Sequence, residues 1–195
     1  MALLSREELK LKAQKKFGYF AKSESSKILN ESVRTFSITK AYDIFLSHSY
    51  LDSDEIEALK EEFEERGFSV YVDWIEDKHL NRESVTIETA KTIKQRLKTC
   101  KTLVYAFSIN TPNSKWMTWE LGYFDGFNGQ VAVLPLTDKS SNRESYKGIE
   151  FVGIYPYITK TKSKFQTELF YVNDTMDVYV EYSEWLDGKK PYKRN

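Results

Sequence analysis

A tryptophan and a glutamate in the second half of the chain have the spacing of a ligand site. Trp116 and Glu120 are four residues apart in the stretch 114–121, SKWMTWEL, and residues four apart on a helix share a face. The apolar run 102–108 before them is typical of a buried strand. Open α/β sheets bind ligands beyond the carboxyl ends of such strands. The pair therefore indicates either a ligand site or a core tryptophan beside a solvated glutamate.

A second polar group, Ser47-His48-Ser49, begins at the last residue of the apolar run 42–47. Hydroxyls and backbone N–H groups before a helix can hold phosphate oxygens. Against this, Asp52 and Glu55 stand where an N-cap and its capping carboxylate would satisfy the helix end and repel anions. Ser47 and Ser49 thus have either a ligand-binding or a turn-and-cap role. A Ser-His-Asp triad is not expected here, because neighbours in sequence seldom reach triad geometry.

Further candidate residues follow the stretch 68–74, which alternates like a strand and ends in Trp74. Trp74 is expected either to form one wall of the site or to cover the core. His79 lies in the polar loop 75–84 and is expected in solvent, while Ser84 can cap the next helix. Cys100 is expected to close that helix as a small core residue.

The elements that position these residues alternate along the chain. Strands are predicted at 42–47, 68–74, 102–108 and 131–136, with amphipathic helices between them. This order predicts a parallel sheet with helices on both faces. A capping box, Ser5 with Glu8, starts an N-terminal helix that should end near Gly18, and a second helix is expected over 25–34.

The chain therefore divides into an N-terminal helical arm (1–40), an α/β core (41–137) and a β-rich C-terminal extension (138–195) packed on the core. In the extension, short strands are predicted at 151–157, 168–172 and 177–182, and a last short helix near 185–186.

Composition excludes several classes of function. The 195 residues carry 29 Lys and Arg against 29 Asp and Glu, so net charge signals neither nucleic acid nor membrane. No apolar stretch approaches the roughly 18 residues of a membrane span, and charge begins at Arg6, unlike a signal peptide. A cytoplasmic protein is expected. The one cysteine and two histidines do not have the spacing of a metal site. The sequence also lacks four common motifs of nucleotide binding or catalysis: the phosphate loop, GxGxxG, HExxH and GxSxG.

Two other classes that use such a sheet fit less well. A response regulator needs an aspartate at the end of the third strand, where Ser108 stands. Flavin binding of the flavodoxin kind needs glycine in the loop after the first strand, and Ser47-His48-Ser49 has none. A generic flavodoxin-like nucleotide-binding module remains open, and a yellow preparation would support it.

Three stretches resemble the sequence boxes of Toll/interleukin-1 receptor (TIR) domains. They are YDIFLSHS (42–49), GFSVYVD (67–73) and the Ser-x-Trp-x-x-x-Glu-Leu pattern of 114–121, in the expected order over roughly residues 40–137. The chain is most similar to bacterial TIR proteins of anti-phage defence of the Thoeris type. The resemblance implies a flavodoxin-like doubly wound parallel sheet.

The resemblance also implies an activity and a site. Many TIR domains cleave NAD at the nicotinamide–ribose bond through the glutamate that corresponds to Glu120. Trp116 would then supply an aromatic wall, while Ser47, His48, Ser49 and Trp74 would line the cleft. The product would be ADP-ribose or a cyclic ADP-ribose isomer that a downstream effector senses. NAD is a substrate in this reaction, so the resemblance implies neither cofactor nor metal.

The same resemblance implies self-assembly and an alternative function. The loop 75–84 corresponds to the family's BB loop, which often covers the NAD site and mediates TIR–TIR self-association. Its usual glycine is missing around Arg82-Glu83-Ser84, which leaves the part played by Ser84 open. The alternative to an enzyme is a non-catalytic TIR adaptor that acts by homotypic assembly.

Overall fold

The computed structural model describes residues 2–17, 40–77, 86–138, 146, 150–162 and 166–193. In this part of the chain the strands are β1 Leu4–Ser5, β2 Tyr42–Ser47, β3 Val70–Tyr71, β4 Cys100–Phe107, β5 Val131–Thr137, β6 Tyr157–Lys162, β7 Glu168–Thr175, β8 Val178–Glu181 and β9 Tyr192–Lys193. The helices are α1 Arg6–Phe17, α2 Ser53–Glu64, α3 Asp73–Glu76, α4 Ile87–Lys98, α5 Lys115–Phe127 and α6 Tyr182–Leu186.

The strands form one sheet in the order β3-β2-β4-β5-β6-β7-β8-β9, with β1 beside β5. Its first five strands are parallel. Numbered along the chain from β2, these five stand in the order 2-1-3-4-5, which is the flavodoxin-like doubly wound arrangement. The predicted fold class is confirmed. The order reverses between β2 and β4, so the crevice beyond their carboxyl ends is where such sheets bind ligands.

Two hydrophobic clusters cover the faces of the sheet. On one face, α1 and α2 pack on strand residues that include Ile44, Leu46 and Val104, and the C-terminal segment adds Phe170 and Tyr182. On the other face, α4 and α5 pack on the alternate strand residues, among them Phe45, Leu103 and Tyr105. Because successive strand side chains point to opposite faces, the near-continuous apolar runs of β2, β4 and β5 contribute residues to both clusters.

The two segments outside the predicted core both contribute strands. β1 pairs with the end of β5 in parallel, and Ala2 forms an antiparallel bridge with Lys160 of β6. Strand β6 supplies the fifth parallel strand, and β7 to β9 continue the sheet in antiparallel fashion. The boundaries at residues 40 and 137 remain predictions, but neither segment is a separate layer.

Four local predictions are wrong. The second strand is limited to Val70–Tyr71, because the chain turns into α3 at Asp73. The stretch 150–154 is a 3-10 helix that precedes β6. Cys100 begins β4 instead of closing a helix, although it is buried as expected. The N-cap of α4 is Thr86, whose side chain accepts from the Thr89 N–H, and not Ser84.

Other helix ends agree with the sequence. Ser114 caps α5 and accepts a hydrogen bond from the Met117 N–H, and Ser5 accepts one from the Glu8 N–H. Gly67 adopts a left-handed φ of 86° just beyond α2, which glycine tolerates without strain. The expected helix over 25–34, together with His79 and Ser84, lies outside the described residues. Among those that are described, no helix is long and apolar enough to cross a membrane.

Candidate active site

The end of β2 meets helix α5 through one buried hydrogen bond. The Ser47 hydroxyl donates to Oε2 of Glu120 at 2.6 Å, and both residues have no exposed surface. Ser47 is the last residue of β2, while Glu120 lies in the second turn of α5. A hydroxyl that donates to a carboxylate fixes the orientation of that carboxylate. The structure thus brings together the two polar groups that the sequence placed at the same edge.

Tyr105 is a third member of this group. It is paired with Ser47 in the register of β2 and β4, and it is buried. Burial raises the pKa of the Tyr105 phenol, a hydrogen bond with Thr118 lowers it, and the charge of Glu120 raises it further. The phenol therefore stays protonated near neutral pH. The sequence predicts Tyr105 only as part of a buried strand, because a tyrosine there resembles any other β-forming residue.

Trp116 lies on the same helix as Glu120, one turn earlier. It is 7% exposed, belongs to the cluster beneath α4 and α5, and meets Trp119 edge to face with ring centroids 5.5 Å apart. This aromatic plane is therefore packed largely into the core. Its role as a wall of the site remains a prediction.

His48 and Trp74 form a separate pair. The Trp74 indole N–H donates to Nε2 of His48 at 3.0 Å, and Nδ1 of His48 lies 2.9 Å from the Leu46 carbonyl. The carbonyl can only accept, so Nδ1 carries a proton. Nε2 accepts from the indole N–H and therefore carries none, so the ring is neutral in this arrangement. Oδ1 of Asp73 lies 3.8 Å from Nε2.

Trp74 of this pair and Trp116 of α5 lie on different sides of the sheet. Trp74 is half-buried and packs against the cluster under α1 and α2, whereas Trp116 belongs to the opposite cluster. The predicted cleft residues therefore form two contacts, Ser47 with Glu120 and His48 with Trp74, that flank the end of β2. Ser84, also predicted for the site, lies outside the described residues.

Ser49 has the turn-and-cap role that the sequence left open. Its side chain accepts from the Leu51 N–H at 3.4 Å, and its carbonyl accepts from the Asp52 N–H at 3.0 Å. The turn places Asp52 at the start of α2, yet the Asp52 carboxylate makes no capping hydrogen bond. Asp52 is thus the N-cap residue of α2, as predicted, but its carboxylate hydrogen-bonds to other partners and not to the helix end.

Those partners form a polar cluster that the sequence did not reveal. Asp52 accepts from Arg6 at 2.8 Å, from Asn110 at 2.6 Å and from the Ser108 hydroxyl. Arg6 also donates to Glu55 and Asp138, each at 3.0 Å. Burial alone would lower the pKa of Arg6, but its bond to Asp138 and the charges of Asp52 and Glu55 raise it. The partners in each contact lie far apart in the sequence, so no local sequence pattern predicts the contacts between them.

The described residues offer no cluster of three or more metal-binding side chains. The polar groups at this edge are hydroxyls and carboxylates, with a neutral imidazole. Such groups can hold sugar hydroxyls and stabilise a positive charge that develops on a bound ligand. Because Glu120 has no exposed surface, its carboxylate contacts a ligand only after neighbouring groups shift.

Fold and site together define a TIR-type α/β domain, and comparison with known families agrees. Residues 45–143 match the family model described as Thoeris protein ThsB, TIR-like domain. The chain belongs to this family, which confirms the resemblance carried by its sequence boxes.

Two curated relatives are similar to this chain. A protein of Bacillus cereus (strain MSX-D12) is 44% identical over 177 residues, which cover 90% of this chain and 91% of the relative. It is named "Probable 3' cyclic ADP-D-ribose synthase ThsB'". A protein of Cytobacillus dafuensis, named as a candidate cyclic ADP-D-ribose synthase TIR2, is 33% identical over 102 residues. That match covers 52% of this chain and 27% of the relative.

Proposed function

We propose that the chain cleaves the nicotinamide–ribose bond of NAD and closes the remainder into a cyclic ADP-ribose isomer that serves as a signal in anti-phage defence. One observation carries the proposal at the level of residues. The glutamate of the family's helix box, Glu120, lies at the carboxyl edge of the sheet and is held there by Ser47. The family and the name of the Bacillus cereus relative support the substrate and the type of product.

The chemistry resembles glycoside cleavage. As the bond between nicotinamide and ribose breaks, its electron pair stays with the pyridine nitrogen, and nicotinamide leaves as a neutral molecule. The ribose carbon then carries positive charge like an oxocarbenium ion. In the proposed mechanism, the Glu120 carboxylate holds the ribose hydroxyls and stabilises this charge electrostatically.

Capture of the ribose carbon decides the product. Water would add and lose a proton to give ADP-ribose. A nucleophilic group in the adenosine part of the same molecule would instead form the new bond, lose its proton and give a cyclic isomer. We propose that this chain makes the 3′ cyclic isomer that appears in the name of the Bacillus cereus relative, whose match covers 90% of this chain. Exclusion of water from a buried site favours the cyclic product.

Assembly belongs to the proposal as well. TIR–TIR self-association would bring a second copy against the site, and a separate effector would sense the cyclic product. NAD is the only small molecule required, and it is consumed.

Nicotinamide release tests the proposed function. Purified protein at high concentration is incubated with NAD, and the products are separated by chromatography with mass detection. Release of nicotinamide with a product one water lighter than ADP-ribose is expected. ADP-ribose as the sole product would establish hydrolysis without cyclisation. If no nicotinamide is released at any protein concentration, the adaptor function is favoured instead.

A further inference from the structure

Arg6 lies outside the segment that matches the family model, yet it pairs with three carboxylates that lie inside that segment. Its Nε donates to Glu55 of α2, its Nη2 to Asp52 after β2, and its Nη1 to Asp138 after β5. Each nitrogen therefore serves a different carboxylate at 2.8 to 3.0 Å. The planar guanidinium is suited to this, because its donors point in fixed and separate directions.

Asp52 also connects Arg6 to the loop after β4. Asp52 has no exposed surface, and it accepts from Asn110 and from the buried Ser108 hydroxyl as well as from Arg6. Arg6 itself is fixed by its place in the chain, since it follows β1 directly and β1 is paired with the end of β5. One residue thus joins the carboxyl ends of β2, β4 and β5.

These loops lead directly to the candidate site. Asp52 closes the turn that begins at Ser49, two residues after Ser47, through its N–H bond to the Ser49 carbonyl. The loop that carries Ser108 and Asn110 runs into α5, which bears Glu120. The distance between Ser47 and Glu120 therefore depends on how the loops after β2 and β4 are held against each other.

We propose that Arg6 is a positioning residue for the Ser47–Glu120 site, acting through Asp52. The N-terminal arm then has a function in the reaction besides packing, because Arg6 hydrogen-bonds to Asp52, Glu55 and Asp138. The catalytic consequence rests on the proposed function, whereas the effect on the two loops does not.

The first measurement is hydrogen exchange without NAD, on the full chain. Arg6→Gln is expected to speed exchange in peptides from 48–52 and 108–114, and to leave α4 unchanged as an internal reference. Lys12→Gln is the matched control, because Lys12 lies on the same helix but pairs with Glu62 and Glu65. Unchanged exchange at both loops in Arg6→Gln would overturn the proposal, whether or not the protein cleaves NAD.

The second measurement is nicotinamide release below the unfolding temperature of every variant. Arg6→Gln is expected to lower kcat by about tenfold or more, because small displacements of catalytic groups are costly, whereas Lys12→Gln should stay within about twofold. Arg6→Lys should retain only part of the activity, since an ammonium cannot reproduce the three-way fork. In an Asp52→Asn background, Arg6→Gln should have a much smaller effect, because coupled residues are not additive. A full effect in that background, or an unchanged kcat in Arg6→Gln, would contradict the inference.

Discussion

The Ser47 hydroxyl and the Glu120 carboxylate are 73 positions apart in sequence and form a buried hydrogen bond of 2.6 Å. One residue ends the first strand of the core, and the other lies on the helix that follows the third. Parallel strands with right-handed crossovers bring such residues to one edge of the sheet. The contact therefore joins two of the sequence boxes that identify the family.

Removal of this hydrogen bond should lower activity. Ser47→Ala removes the hydroxyl that donates to Oε2 of Glu120, and nicotinamide release is expected to fall by roughly tenfold, the equivalent of about 1.4 kcal/mol. Ser69→Ala is a matched control, because Ser69 also donates to a carboxylate, Asp43, but near the start of β2. The control should keep wild-type activity. Equal losses in the two variants would show a general loss of stability and not a loss at the site.

The thiol of Cys100 should be inert in the folded protein. Burial raises its pKa to about 12, so the reactive thiolate is scarce near neutral pH. A thiol reagent at pH 8 is expected to react slowly with native protein and completely in denaturant. Rapid reaction of native protein would contradict the buried position.

The same shift makes stability depend on pH. Because the folded pKa exceeds the ordinary thiol value of 9.0, the folded state holds the thiol proton more tightly than the unfolded state. Its contribution to stability is present below pH 9 and is lost as pH rises towards 12. Cys100→Ala should reduce the slope of unfolding free energy against pH in that window, as measured by urea unfolding at a series of pH values.

The C-terminal segment should unfold together with the core. Phe170 of β7 stacks on Phe63 of α2 with ring centroids 4.3 Å apart, and both side chains are buried. Phe170→Ala is expected to cost about 3–5 kcal/mol and to shift one cooperative urea transition. Met176→Ala, in an exposed turn of the same segment, should have almost no effect. Two separate transitions would show that the extension is an independent unit.

Self-association should appear in the kinetics. If a second copy completes the site, the rate per molecule rises with protein concentration, and total activity rises more than linearly. Dilution series of nicotinamide release with fixed NAD measure this dependence. Strict proportionality between activity and protein concentration would mean that one copy suffices.

The features that the sequence predicted well depend on local patterns. The strand 42–47, the helix cap at Ser114 and the alternation of strands and helices all follow from neighbouring residues, and the structure confirms them. The sequence makes Ser47 a candidate because it ends a strand, and Glu120 because it lies on the helix that follows another strand of the same parallel sheet, and those strand ends share one edge.

The features that the sequence missed depend on distant partners. The neighbouring residues predict that the Asp52 side chain caps a helix. In the structure its carboxylate instead accepts hydrogen bonds from Arg6, Ser108 and Asn110. Trp74 was predicted at the end of a strand. The turn into α3 instead packs it on the face of the sheet away from Trp116. Tertiary contacts of this kind override local propensity, and no spacing rule predicts them.

The most direct test of the central claim is nicotinamide release by Glu120→Gln. Glutamine keeps the size of the side chain and an acceptor for Ser47, but it removes the charge proposed to stabilise the ribose cation. The matched control is Glu62→Gln, which alters a buried glutamate that pairs with Lys160, away from the site. We predict that Glu120→Gln folds and loses about 100-fold or more in rate, as expected for the loss of a preorganised charge, while Glu62→Gln retains activity. Release of nicotinamide by folded Glu120→Gln at the wild-type rate would contradict the account.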